Sequence, residues 1–131
     1  MSRRGSAAIE FAITLPFLLA IASVVIDYGW YLTQSVNVLH ATREGLRIGA
    51  ATPWAEGPDT TAEVQAEATL VGYGVPCGED LPCEIRAALV EVDGYDAINL
   101  TVVVPFVAFF GLVPTPDTMR AELTMAIEDM G

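Results

Sequence analysis

Residues 7–26 are apolar at nearly every position, and Glu10 is the one ionisable side chain among them. As an α-helix, a run of about 20 residues covers about 30 Å, the thickness of a bilayer core. Arg3 and Arg4 precede the run and Asp27 follows it. The positive-inside rule then predicts a cytoplasmic N-terminus and an exported remainder. Beyond Asp27 the pattern changes. Tyr28, Tyr31, Leu32, Val36, Leu39 and Leu46 fall near helical spacing, with Gln34, Asn37 and Arg43 between them, so the same helix is predicted to continue in amphipathic form. Gly49 and Pro53 predict its end, and a helix over 6–50 would be roughly 65–70 Å long. Pro16 removes one backbone hydrogen bond inside it and predicts a bend, either a flexible point or a tolerated membrane proline. The spacing of Gly45 and Gly49 predicts a close approach of the downstream chain to the helix. Arg43 and Arg47 either pair with acids downstream or, with Glu44, form a solvated face.

After a linker over 52–57, Thr60 and Glu63 have the spacing of a capping box. Ala62, Ala66, Leu70 and Tyr73 then give one apolar face, which predicts a second helix over 59–71. Residues 84–92 are compatible with a strand, and Asp93-Gly94-Tyr95-Asp96 reads as a turn. Over 97–104, Ile98, Leu100, Val102 and Val104 alternate with polar neighbours. Over 118–128, Met119, Ala121, Leu123, Met125 and Ile127 do the same. The economical topology is a three-stranded antiparallel meander with its apolar face against the long helix. The fold class is therefore α+β: a long N-terminal transmembrane helix, a short second helix and a small three-stranded antiparallel sheet packed on the helix. The apolar segment 105–114 is too short to span a membrane. It covers the sheet, dips into a leaflet or contacts another subunit.

Composition narrows the function. The chain has 131 residues and a formal charge of −11, with six arginines and no lysine. It lacks the basic footprint of a nucleic-acid binder. Cys77 and Cys83 enclose Gly78 and Pro82 in a short run, and the lone histidine, His40, is distant in sequence. A disulfide is favoured over a metal site, which implies an oxidising compartment. No nucleophile with an adjacent base and no glycine-rich phosphate loop is present. Glu79, Asp80, Glu84, Asp93 and Asp96 fit no EF-hand spacing. We expect no enzyme activity, cofactor or metal.

The N-terminus admits three readings. In the first, a secretory signal ends at Ala20-Ile21-Ala22 and is cut before Ser23. The apolar run continues through Val24-Val25-Ile26, however, and Glu10 is an acid where such signals avoid one. In the second, the run is a plain anchor, which leaves Glu10 unexplained. In the third, Gly5 ends a short basic leader, and Glu10 is the fifth residue counted from Ser6. This last pattern resembles the type IV prepilins. The stretch from Arg4-Gly5-Ser6-Ala7-Ala8-Ile9-Glu10-Phe11-Ala12 to Leu15-Pro16-Phe17, with Asp27-Tyr28 and Ala41-Thr42-Arg43-Glu44-Gly45-Leu46-Arg47, is similar to the TadE-like pseudopilins, minor pilins of the tight-adherence (Flp) pilus system. Phe11 follows the acid where major pilins often carry Tyr.

That resemblance implies a leader over 1–5, a long helix over 6–50 that spans the inner membrane over about 7–26, and a periplasmic α+β head over 51–131. It implies cleavage between Gly5 and Ser6 by a prepilin peptidase, and pairing of Glu10 with the new α-amine of a neighbour. The implied partners are membrane lipid, other pilin and pseudopilin subunits and the pilus assembly platform, and the assembled filament lies outside the cell. The alternative is a bitopic adaptor or an exported small domain with a ligand-binding head.

Overall fold

The computed structural model describes residues 3–78 and 81–127, with side chains from residue 5 onward. α1 (Arg3–Ala50) is one helix of 48 residues that runs through Gly5 and Pro16 without interruption. It thus begins ahead of the expected Ser6. A single glycine costs a helix only about 1 kcal/mol, so Gly5 does not end it. The ring of Pro16 removes the donor that would serve the carbonyl of Ala12.

The two halves of α1 have different surroundings. In its most apolar window, 6% of the residues are buried by the rest of the chain. Phe11, Ile13, Phe17, Leu18, Ile21 and Val25 are all exposed. The second half is covered by the head along part of the expected stripe: Leu46 is buried, and Tyr31 and Leu39 pack against the core. Tyr28, Leu32 and Val36 are exposed, whereas Asp27, Gln34, Val38, Ala41, Thr42, Leu46 and Ala50 are buried. The packed face thus mixes apolar residues with small and polar ones.

The reason lies in α2 (Pro58–Gly72), which packs directly on this face. A Cβ at Gly45 would lie 2.7 Å from the Ala62 carbonyl oxygen and 2.9 Å from the Ala66 Cβ. One at Gly49 would lie 2.7 Å from the Pro58 carbonyl oxygen and the Ala62 Cβ. Gly45 and Gly49 are the points of close approach that their spacing predicted, and the helix ends one residue after Gly49, as expected. Two backbones meet here with no side chain between them, a geometry open only to small residues. α1 ends at Ala50, where the Thr52 hydroxyl and amide cap the Ile48 and Gly49 carbonyls.

The linker holds a short 3₁₀ turn, Trp54–Glu56, and Gly57 in the left-handed region (φ 70°) leads into α2. The capping box from Thr60 is not formed. Pro58 already occupies the first turn, where its fixed φ favours helix and its missing N–H costs nothing, so α2 starts at Pro58 rather than 59 and ends at Gly72 rather than 71. Glu63, the expected partner in that box, instead accepts the Ala87 N–H at 2.7 Å. Ala62, Ala66 and Leu70 form the buried face as expected, while Tyr73 lies beyond the helix and is exposed.

The sheet has the expected order β1-β2-β3, antiparallel throughout. β1 (Glu84–Val92) is as predicted. β2 (Tyr95–Pro105) starts two residues before the expected Ala97, because Asp93 (φ 52°) and Gly94 (φ 81°) alone make the turn. Two adjacent positive φ values suit the twist of a tight hairpin, so Tyr95 pairs with Val92. β3 (Thr118–Ala126) stops short of the predicted 128. Ile127 still donates its N–H to Asp96, and Glu128 lies outside the described residues. Ile98, Leu100, Val102 and Val104 are fully buried beneath both helices with Leu46, Leu70 and Met119. Each such large side chain contributes about 1.5–3 kcal/mol.

On the outer face, Arg120 pairs with Glu122 at 2.6 Å, and Asn99 bonds Thr124. The hydrogen bond from Arg120, and then that from Asn99, holds the Glu122 carboxyl below its ordinary range. A carboxyl whose folded pKa is depressed stabilises the fold above its unfolded pKa, and this is lost as pH falls through the folded value.

The glycine contact generates a direct prediction. Gly45→Ala and Gly49→Ala each lower the stability of the head by about 1–3 kcal/mol through overpacking, read as an earlier thermal melt of the full chain in detergent micelles. A melt coincident with that of the unsubstituted chain contradicts the contact.

Candidate functional site

Two carboxylates bracket the uncovered part of α1, and their surroundings are opposite. Asp27 is 1% exposed. Its Oδ1 accepts the backbone N–H groups of Phe109 and Phe110 at 2.9 and 3.0 Å, and its Oδ2 accepts that of Gly111 at 3.0 Å. Successive N–H groups turned toward one anion form a nest, and Gly111, with φ 62°, supplies the backbone conformation. Hydrogen bonds to an ionised acceptor are the stronger class.

Neighbouring side chains grip the same segment. The Tyr28 hydroxyl donates to the Pro114 carbonyl at 2.9 Å. Trp30 lies 5.2 Å from Phe109 between ring centroids, and Tyr31 meets Phe106 edge-on at 5.1 Å. The 105–114 segment is therefore tied to the helix at the end of the apolar run. Phe106 is buried in the core, while Val107, Phe109, Phe110 and Leu112 face outward.

In the sequence Asp27 stands as the flank of the apolar run and as one half of the acid–aromatic pair, and neither reading points to this clasp. A partial signal existed: the acid–aromatic pair Asp27-Tyr28 and the proline-bounded apolar segment 105–114 both sit without partners in the sequence pattern.

Glu10 has none of this. It is exposed on α1 among Ile9, Phe11 and Ile13. Among the described side chains its one hydrogen bond is a long contact, 3.4 Å, from the Ser6 hydroxyl one turn earlier. The other hydroxyls of the apolar run are satisfied within the helix: Thr14 donates to the Glu10 carbonyl and Ser23 to the Leu19 carbonyl, both at 2.8 Å. Such back-bonding lets a helix carry Ser and Thr through lipid. Gly5, Ser6, Glu10, Phe11 and Pro16 all lie on this one helix, and among the described residues no side chain of the head bonds Glu10.

Cys77 and Cys83 are joined in a disulfide, with a Cα–Cα distance of 5.2 Å. The ring ties the end of the α2 turn to the start of β1 and is worth about 2 kcal/mol by loop entropy. Glu79 and Asp80, inside that ring, lie outside the described residues. Arg47 does not reach the head. It pairs with Glu44 at 2.6 Å, and that hydrogen bond lowers the carboxyl and raises the guanidinium relative to their ordinary values. His40 sits 6.5 Å from the Tyr73 ring, between centroids.

Among the described residues, one helix is long and apolar enough to cross a membrane, and a small α+β head is clasped to its distal half. Residues 5–47 match the family model of TadE-like proteins, a likeness that links this segment to the Tad pilus system. The match covers most of α1 and stops before the head. No curated protein and no solved structure matches the chain.

Asp27→Asn keeps one acceptor oxygen but turns an amide donor toward a neighbouring N–H. The expected cost is about 1–3 kcal/mol, seen as faster hydrogen exchange at Phe109, Phe110 and Gly111 by about tenfold or more. Unchanged protection at these amides contradicts the clasp.

Proposed function

We propose that the chain is a minor pilin or pseudopilin of a Tad (Flp)-type pilus. It is inserted in the inner membrane through residues 7–26, with the head on the periplasmic side. A prepilin peptidase cuts between Gly5 and Ser6, and the assembly platform draws the helix out of the bilayer among other pilin subunits into an extracellular filament.

The observation that carries this reading is the contrast between the two acids. Asp27 is satisfied within its own chain, whereas Glu10 is left on an uncovered apolar rod with one long contact to a hydroxyl. A carboxylate packed among apolar side chains favours a counter-charge strongly, because a lone buried ion pays several kcal/mol of desolvation. Cleavage after Gly5 creates such a charge, the α-ammonium of Ser6. Within a bundle of identical or related helices, that ammonium on one subunit reaches Glu10 of a neighbour and sets the axial step. The surfaces of Phe11, Phe17, Ile21 and Val25 then find in neighbouring rods the cover that the head does not give them. The short disulfide ring suits a head that folds in an oxidising compartment.

The test is Glu10→Ala in the pilus-forming cell. Membrane insertion and the melting of the head stay as in the unsubstituted chain, because Glu10 touches no head residue, while incorporation of the subunit into sheared pilus fractions falls at least tenfold. Normal incorporation by this variant contradicts the proposed role and favours a bitopic adaptor.

A further inference from the structure

The clasped segment is uncharged from Pro105 to Pro114 and presents a ring of outward apolar side chains: Val107 is 62% exposed, Phe109 66%, Phe110 54% and Leu112 66%. We propose that these residues form a collar that inserts into the lipid leaflet from which α1 emerges, so that the head rests on the bilayer rather than swinging free above it. The proposal rests on the membrane-spanning reading of α1.

Three observations select lipid as the occupant. The first is height. The Asp27 carboxylate fixes the amides of Phe109, Phe110 and Gly111 at the helix turn where the apolar run ends. Ser23, one turn toward the N-terminus on the same face, is also buried, so the cover reaches about 6 Å below Asp27, into the upper part of the span.

The second is continuity. The exposed apolar surface of the helix extends up to Val25 and Ile26, within two residues of the Asp27 that holds the collar, without a charged side chain other than the buried Asp27. The bilayer that covers the first also meets the second. The third is composition. Tyr28 and Trp30 lie at the same turn, each partly exposed. Tyr and Trp are the side chains that favour the headgroup level, where an apolar ring and a polar tip are both accommodated. A solvent-facing loop with this many outward aromatic and aliphatic side chains would be an apolar patch of the kind soluble surfaces avoid.

The collar gives the clasp a purpose. An apolar loop of this length would otherwise fold back onto the sheet. Holding its backbone by the Asp27 carboxylate leaves its side chains free to face outward at one defined depth.

The test uses the full chain reconstituted in phosphatidylethanolamine–phosphatidylglycerol vesicles at high dilution. Trp30→Phe and Trp54→Phe remove the native tryptophans, and single reporters are placed as Phe110→Trp or, as a control for the span itself, Leu18→Trp. Acyl chains brominated close to the headgroup are expected to quench the Phe110→Trp reporter at least twofold, and more than chains brominated near their ends. The Leu18→Trp reporter is quenched most by the deeper bromines. A chain that retains native Trp54 as its sole tryptophan, at the far end of α1, stays unquenched. An unquenched Phe110→Trp reporter beside a quenched Leu18→Trp reporter overturns the collar and leaves the span standing. Neither reporter quenched overturns both. Shielding of the Phe110→Trp reporter that disappears when the vesicles are diluted with unlabelled lipid assigns the surface to a second copy of the chain and likewise overturns the proposal.

Discussion

The first half of α1 has no cover from its own chain, and the rest of the architecture follows from that. A helix of 48 residues with its proximal side chains exposed is untenable in water, where each large apolar side chain left uncovered forgoes about 1.5–3 kcal/mol. It must lie in lipid or against other rods. The distal half lives in a different medium, and the helix changes surface character accordingly. Glycine and alanine take over where α2 approaches, and a buried acid marks the boundary between the two regimes.

Asp27 and Glu10 show how one residue type serves opposite ends of such a helix. At the boundary, the three amides received by Asp27 make a buried carboxylate tolerable and at the same time organise the excursion of the chain between β2 and β3, residues 106–117, which has no regular structure of its own. Near the other end, Glu10 is left without such provision. In a chain destined to remain alone this would be a defect. In a subunit whose new amine appears on processing it is a docking element, which is how the TadE-like segment over 5–47 and the geometry of the rod come to support the same reading.

Much of this was legible in the residues. The alternation of Ile98, Leu100, Val102 and Val104 specified one buried face of β2, and that face is fully buried. The spacing of Cys77 and Cys83 favoured the bridge that forms. The errors have physical causes. Apolar periodicity located the distal helix but only part of its packed face: Tyr31, Leu39 and Leu46 meet the core, whereas the close contact with α2 is made at Gly45 and Gly49, which a pattern of large side chains does not weigh. The capping box at Thr60 was outweighed by Pro58, whose fixed φ starts the helix sooner. The Asp27 clasp joins residues more than eighty positions apart through main-chain donors, and main-chain donors leave no mark in a pattern of side chains.

The identity of the first residue of the membrane-extracted chain, read by intact-mass and N-terminal peptide spectrometry, tests the central claim most directly. The account predicts a chain that begins at Ser6, with the whole apolar rod retained and a free or modified α-amine one turn from Glu10. A functional chain that retains Met1, Arg3 and Arg4, or one that begins at Ser23 and has lost the rod, would contradict it.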